Sequence, residues 1–137
     1  MIENSLCVYV TADAALQVLL GGDANDKKIY PLEAPQSSTL PFLVYKVTDI
    51  GGLEQLLSEI RITISITAET PLALKNICDA LIVLLDKQDE IMGFWTDADY
   101  FIYWSKLNGG GDIAPQFESR KEFVRVLNFD IKYKKKV

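Results

Sequence analysis

The sequence predicts a single α+β domain, residues 1–137, in which an antiparallel β-sheet of about four strands carries its helices on one face. The first observation behind this prediction is the length, because 137 residues point to one domain with one buried core. The second is a strand-like alternation of isoleucine and polar residues from 58 to 67. The third is the helix-like apolar spacing that follows between residues 70 and 85. The predicted order of elements is α-β-β-β-α-β-β.

The N-terminal segment, residues 3–20, predicts a helix in two pieces. A capping signal at Thr11-Ala12-Asp13 restarts the helix, and Gly21-Gly22 ends it because glycine adopts the left-handed cap conformation at little cost. Apolar side chains of both pieces are expected to be packed, namely Leu6, Val8 and Val10 on the first and Ala15, Leu16, Leu19 and Leu20 on one face of the second.

Two strands are predicted next along the chain. Ile29-Tyr30-Pro31 is extended, because a proline disfavours helical geometry at the residue before it. The turn-rich stretch 35–41 connects it to Phe42–Val47, whose β-branched and aromatic residues are typical of a central strand. Gly51-Gly52 breaks this second strand.

The clearest strand runs from Ser58 to Thr67. Isoleucine at every second position predicts one buried and one polar face, which is typical of an antiparallel sheet covered on a single side. Thr70 and Pro71 then supply the N-cap and the first residue of a helix. The apolar stripe of this helix is expected to cover the isoleucine face with Leu74, Ile77, Cys78, Leu81, Leu84 and Leu85.

The C-terminal part predicts two further strands, Tyr100–Trp104 and Glu122–Tyr133. One face of the last strand is apolar, and Arg125 interrupts that face. The segment between the strands predicts a mobile hairpin loop that contains Asn108, Gly109, Gly110, Gly111 and Asp112. A phosphate-binding loop would need a helix after it and usually a lysine, and Asp112 would repel an anion.

The residue inventory argues against an enzyme. The chain contains no histidine, which is the commonest general base and metal ligand, and its two cysteines, Cys7 and Cys78, lie in apolar stretches. The carboxylate pair Asp97 and Asp99 lies in a predicted turn without the further oxygen ligands of a calcium loop. We therefore predict two buried thiols, no catalytic residues, no metal site and no cofactor.

Charge is unevenly distributed along the chain, whose formal net charge is −5. Residues 1–116 include 7 basic and 16 acidic residues, whereas residues 117–137 include 7 basic and 3 acidic ones. This acidic body argues against specific nucleic-acid binding, and no apolar run is long enough for a membrane span. The basic end, 132–137, predicts a flexible tail that meets an acidic surface through Lys132, Lys134, Lys135 and Lys136.

Aromatic residues are frequent between residues 94 and 104. Basic residues interleaved with them would suggest a stacking platform for single-stranded nucleic acid, but only Lys106 is nearby, while Asp97 and Asp99 are close. Packing in the core and against a protein partner is the better interpretation of this segment.

Five segments of the chain follow the pattern of a known family. They are Ala14–Gly22, Ile29–Gln36, Leu40–Tyr45, the strand Arg61–Thr67 with the helix Ala73–Leu85 behind it, and the closing strand Val126–Ile131. Together they resemble the tail-completion, or tail-terminator, proteins of long-tailed bacteriophages and prophages. The resemblance covers roughly residues 6–133, and the chain departs from the family in its longer stretch at 86–117.

The resemblance implies a small α+β subunit that forms a ring with copies of itself, commonly a hexamer. Such a ring caps the head-proximal end of the tail tube and joins it to the head connector, so the tail-tube protein and the connector protein are the implied partners. The implied location is the bacterial host cytoplasm during assembly and then the virion tail. In a ring, one surface of a copy meets a different surface of the next copy. We expect the lysines of the basic end and the segment 108–116 to contribute to such contacts.

A second function stays open at this point. A small-molecule-binding regulatory module with a ferredoxin-like α+β fold has a similar arrangement of sheet and helices. It would need a pocket or a dimer cleft with converging polar groups.

Overall fold

In the residues that it describes, a computed structural model shows three helices and a β-sheet, which contain the predicted elements and the additional short strand Trp95–Thr96. It describes residues 2–22, 26–34, 39–51, 58–87, 95–96, 99–113 and 122–135. Some predicted features lie outside these residues, namely residues 35–38 of the connector, Gly52, Asp97, positions 114–116 of the expected contact segment, and Lys136. The helices are α1 (Ile2–Thr11), α2 (Ala14–Leu20) and α3 (Pro71–Leu85). The strands are β1 (Ile29–Pro31), β2 (Phe42–Gly51), β3 (Ser58–Ala68), β4 (Trp95–Thr96), β5 (Tyr100–Ile113) and β6 (Phe123–Lys135).

The sheet is mixed, and it has more strands than predicted. Its six described strands lie in the order β1-β2-β3-β6-β5-β4. The four long strands β2, β3, β6 and β5 are antiparallel to one another, as expected, but β1 runs parallel to β2, with Ile29 opposite Leu43. A parallel neighbour requires the chain to return to the same end of the sheet, and the connector after Pro31 provides that return. The two-residue β4 pairs with β5 at the other edge.

The predicted alternation in β3 is confirmed, and it decides which face of the sheet the helices cover. Ile60, Ile62, Ile64 and Ile66 are all buried, whereas the residues between them are half-buried. The neighbouring strand β6 extends this core with Leu127, Phe129 and Ile131, which pair in register with isoleucines of β3. A continuous apolar layer therefore lies on one side of the two central strands.

Helix α3 covers this layer and begins as predicted. The hydroxyl of Thr70 accepts a hydrogen bond from the backbone N–H of Ala73 (3.1 Å), and Pro71 is the first helical residue. The buried residues of α3 follow the predicted stripe and are Leu74, Ile77, Cys78, Leu81 and Leu85. Leu84, the remaining residue of that stripe, is only partly buried.

The two N-terminal helices also form as predicted, with a smaller buried face. The Asp13 carboxylate accepts a hydrogen bond from the N–H of Leu16 (3.0 Å), and Gly21 ends α2 with a left-handed φ of 69°. The expectation that Val8 is packed is wrong, because its side chain is 55% exposed. Residues two apart lie on opposite sides of a helix, so Val8 points away from the face that buries its neighbours Leu6 and Val10.

The same geometry corrects the buried face of α2. Leu16 and Leu20 are buried, whereas Ala15 and Leu19 are exposed. Leu16 and Leu20 are four residues apart and therefore lie on one stripe, and residues one position before each of them are rotated about 100° away from it. The N-terminal segment is anchored to α3 by the Tyr9 hydroxyl, which donates to the carbonyl of Leu84 (2.8 Å).

Candidate interaction surface

The second face of the sheet lacks a helical layer in the described part of the chain and forms the candidate interaction surface. The polar residues that alternate with the isoleucines of β3 lie on this open face. Arg61 of β3 lies opposite Asp130 of β6, and Thr63 lies opposite Asn128, so the even-numbered residues of β6 share the open face. Residues of β5 join the same face through their register with β6. By its register with β3, strand β2 adds Val44, Lys46 and Thr48 to the open face, whose middle is formed by the three strands β3, β6 and β5.

A polar network crosses these three strands. The Arg61 guanidinium on β3 donates to the Asp130 carboxylate on β6 (Nε to Oδ1, 2.8 Å). The side-chain amide of Asn108 on β5 donates to the other oxygen of the same carboxylate (2.6 Å). Beside this pair, the Thr63 hydroxyl donates to the amide oxygen of Asn128 (2.7 Å). Each bond joins different strands, so the network ties the middle of the open face together.

The electrostatics of this network follow from its donors. The hydrogen bond from Arg61 is the main reason why the pKa of Asp130 lies below its ordinary value. The hydrogen bond from Asn108 and the charge of Lys106 also lower this pKa, whereas partial burial of the carboxylate raises it. The Asp130 carboxylate in turn raises the pKa of Arg61 above its ordinary value. Both groups are therefore fully charged at neutral pH.

The prediction of a mobile loop from Asn108 to Asp112 is wrong, because this segment lies inside β5 and pairs with β6. The register shifts between Leu107 and Gly110, so the strand contains an irregularity where the glycines occur. Gly109 and Gly110 have φ angles of 86° and 145°, which residues with a Cβ rarely adopt. The glycines here allow an irregularity within a paired strand. Glycine spacing alone cannot distinguish such an irregularity from a loop between two strands.

Gly110 also lies close to the backbone of β6. A Cβ atom built on Gly110 would collide with the carbonyl oxygen of Val126, whereas one on Gly111 would meet no heavy atom within 4 Å. Only a residue without a side chain fits at position 110. Backbone packing therefore explains the glycine at position 110, and a positive φ explains the one at position 109.

Asp112 and Arg125 lie on the helix-covered side of the hairpin, opposite each other in register. The Arg125 guanidinium donates to the Asp112 carboxylate (2.6 Å). Burial raises the pKa of the Cys78 thiol, and nearby Arg125 opposes that rise without cancelling it. The arginine that interrupts the apolar face of β6 thus has a partner from the segment predicted as a loop. Cys78 is buried as predicted, whereas Cys7 is only partly buried, and both are free thiols.

The prediction of a flexible basic tail is wrong for three of its four lysines. Lys132, Lys134 and Lys135 belong to β6 and lie opposite Trp104, Phe101 and Tyr100 of β5. A strand alternates its side chains, so Lys132 and Lys134 lie on the open face and Lys135 on the other. These lysines alternate with Ile131 and Tyr133, which pack in or against the core and hold this end of the chain in the sheet.

The register of the hairpin combines these lysines with the aromatic segment of β5. The Lys132 ammonium lies 4.9 Å from the centre of the Trp104 ring, within the range of a cation–π contact. The rings of Phe101 and Tyr103 stack on each other with centroids 4.6 Å apart. We call this part of the open face the basic–aromatic strip; its residues are Phe101, Tyr103, Trp104, Lys106, Lys132 and Lys134. Sequence reasoning missed it because the lysines and the rings lie about thirty positions apart along the chain.

Other kinds of site have little support in the described residues. A crevice of about 10 Å³ lies between α1 and the sheet, lined by apolar atoms of residues that include Leu6, Val10, Ile62 and Ile64. No group of three or more cysteine and carboxylate side chains that could hold a metal ion occurs in the described ranges. No helix there combines the length and hydropathy of a membrane span.

Comparison with known proteins shows a shared fold. No protein-family model matches the chain, and no curated protein matches it significantly. Among solved structures, a chain of the "Virion of native gene transfer agent (GTA) particle" has the same fold, with a TM-score of 0.67 and 13% sequence identity. The match covers 97% of this chain and 93% of the other. At this identity the likeness shows the fold alone, and membership of the tail-terminator family stays a prediction.

Proposed function

We propose that this protein is a structural subunit of a phage-type virion, and more specifically a tail-terminator subunit. In this proposal, copies form a ring, with a hexamer expected, that caps the head-proximal end of the tail tube and joins it to the head connector. The protein would act in the cytoplasm of the bacterial host during assembly and remain in the virion tail afterwards.

The observation that carries the proposal is the fold match to a virion chain over nearly the whole length of both chains. A shared fold does not by itself define a function, because function depends on the surfaces and sites that a fold carries. The surfaces favour assembly here. The open face presents a polar network and a basic–aromatic strip, and both are features by which proteins recognise other macromolecules.

The alternative of a small-molecule-binding module has no specific support among the residues that the structure describes. A site for a small molecule is a cleft of about 300 Å³ or more in which a few polar groups converge. The crevice between α1 and the sheet is far smaller, and its lining atoms are apolar. Surface recognition is therefore the better proposal for this fold.

Electron microscopy of tails assembled without this protein tests the proposed function. Deletion of its gene in the phage or prophage is expected to produce tails of abnormal length that do not join heads. Supplying the wild-type gene in trans should restore tails of uniform length joined to heads. Normal, head-joined tails in the deletion strain would contradict the proposal.

A further inference from the structure

The basic–aromatic strip differs in charge from the rest of the molecule. It contains three lysines, of which Lys106 lies opposite Asp130 while Lys132 and Lys134 lie opposite aromatic residues, whereas the whole chain has 14 basic and 19 acidic residues. The chain outside the strip therefore has 11 basic residues against 19 acidic ones, a formal net charge of −8. Each copy combines a local basic surface with an acidic remainder, so two copies are complementary when the strip of one meets the remainder of the other.

The strip is held in place before any partner arrives. Lys132 and Lys134 are fixed on β6 by pairing with β5, and the Lys132 ammonium already lies over the Trp104 ring. Residues of the strip are half-buried or exposed, with Lys106 and Lys134 exposed. The Lys132 side chain and the stacked rings therefore lose little conformational entropy on binding, which favours a specific contact.

The aromatic geometry favours a protein partner over nucleic acid. Single-stranded nucleic acid binds by stacking its bases on open ring faces. In the strip, one face of Trp104 is covered by the Lys132 ammonium, and Phe101 and Tyr103 stack on each other. An acidic protein surface requires no open ring face, because it can pair with the lysines and pack against ring edges.

From this geometry we propose that the basic–aromatic strip is the surface by which one copy of the chain binds an acidic surface of the next copy. The contact is heterologous, since strip and acidic surface are different parts of the molecule, and repeated contacts of this kind form a ring when the rotation between copies closes. This inference rests on the proposed function and deepens it by naming the interface.

The test compares two charge-matched double variants of the full chain by sedimentation velocity. One variant is Lys132→Glu with Lys134→Glu in the strip. The control is Lys27→Glu with Lys75→Glu, which makes the same charge change at two exposed lysines outside the strip. Measurements run from about 50 mM to about 500 mM NaCl, because added salt screens a charged interface. Circular dichroism establishes that each variant is folded, and Lys134→Glu alone replaces the strip variant if the double change prevents folding.

We expect the wild-type chain to self-associate at low salt and less at high salt. The strip variant should associate at least about tenfold more weakly, and the control should stay within about twofold of the wild type. A wild-type chain that stays monomeric throughout, or equal effects of the two variants, would overturn the inference. Binding of a thymidine oligonucleotide to the wild type that the strip variant loses would also overturn it. None of these outcomes alters the deletion phenotype, so the proposed function is tested separately.

Discussion

The two faces of the central sheet come from the same strands, but one face is apolar and covered by helices, whereas the other is polar and charged. On the covered face, β3 and β6 present isoleucine, leucine and phenylalanine to the helices. On the open face, the alternating residues of those strands form the Arg61–Asp130–Asn108 network and part of the basic–aromatic strip. The covered face supplies stability through burial of apolar area, whereas the open face supplies direction and charge. The comparison predicts that core packing and surface charge can be changed separately by substitutions at neighbouring positions of one strand.

The sharpest challenge to this division is a pair of neighbours on β6. Phe129 is fully buried on the covered face, and Asn128 lies on the open face. We expect Phe129→Ala to lower the free energy of unfolding by about 3–5 kcal/mol, because it removes a large core side chain and leaves a cavity. Asn128→Ala removes one hydrogen bond and should cost about 1 kcal/mol. Urea denaturation of both variants measures the difference, and equal costs would break the comparison.

A second pair tests the joint between β5 and β6, on which both faces depend. Gly110→Ala places a Cβ against the Val126 carbonyl at an unfavourable φ, and we expect it to lower the free energy of unfolding by about 2 kcal/mol or more. Gly111→Ala is the matched control, since its Cβ enters open space, and it should cost under about 1 kcal/mol. Thermal denaturation of the two variants compares them. If position 110 tolerated alanine as well as position 111, the close approach would not constrain the hairpin.

The helical cover can be weakened from its first turn. Thr70→Ala removes the acceptor for the Ala73 N–H and should destabilise the protein by about 1 kcal/mol, while Thr70→Ser keeps the acceptor and should cost less. Chemical denaturation of the two variants measures both changes. Equal losses for serine and alanine would mean that the hydroxyl contributes nothing as a cap.

The open face should show the smallest effect, and one that depends on pH. The pKa of Asp130 lies below its ordinary value of 3.8 in the folded protein, so its contribution to stability is fully present above that value. This contribution is lost as the pH falls from 3.8 through the lower folded pKa. Asp130→Asn should therefore be less stable than the wild type near neutral pH and lose that disadvantage in acid. A gap that stayed constant from about pH 7 to about pH 2 would argue against the ion pair.

Local patterns predicted the covered face well. The alternation in β3, the Thr70-Pro71 start of α3 and the Asp13 cap of α2 depend on residues close in sequence, and all three formed as expected. Hydrophobic burial also fixed which face of the sheet the helices cover.

The open face was harder to predict, because its features depend on register between strands far apart in sequence. The segment around Gly110 has the composition of a loop, and the pairing of β5 with the apolar strand β6 overrides that local preference. Lys132 and Lys134 belong to a lysine-rich end that is typical of a solvated tail. This end stays in the sheet because the adjacent residues Ile131 and Tyr133 pack in or against the core. No local signal reports that Lys132 lies opposite Trp104.

The Asp130 carboxylate accepts hydrogen bonds from Arg61, 69 positions earlier, and from Asn108, 22 positions earlier. Arg61 lies on β3 and Asn108 on β5, the two strands that flank β6 in the sheet. Separation of β6 from one of these strands would therefore also disturb its bonds to the other. Backbone amides on β3, β5 and β6 near this carboxylate should consequently exchange with deuterium together, as one cooperative unit that opens only in large fluctuations. The centre of the sheet would then resist partial opening.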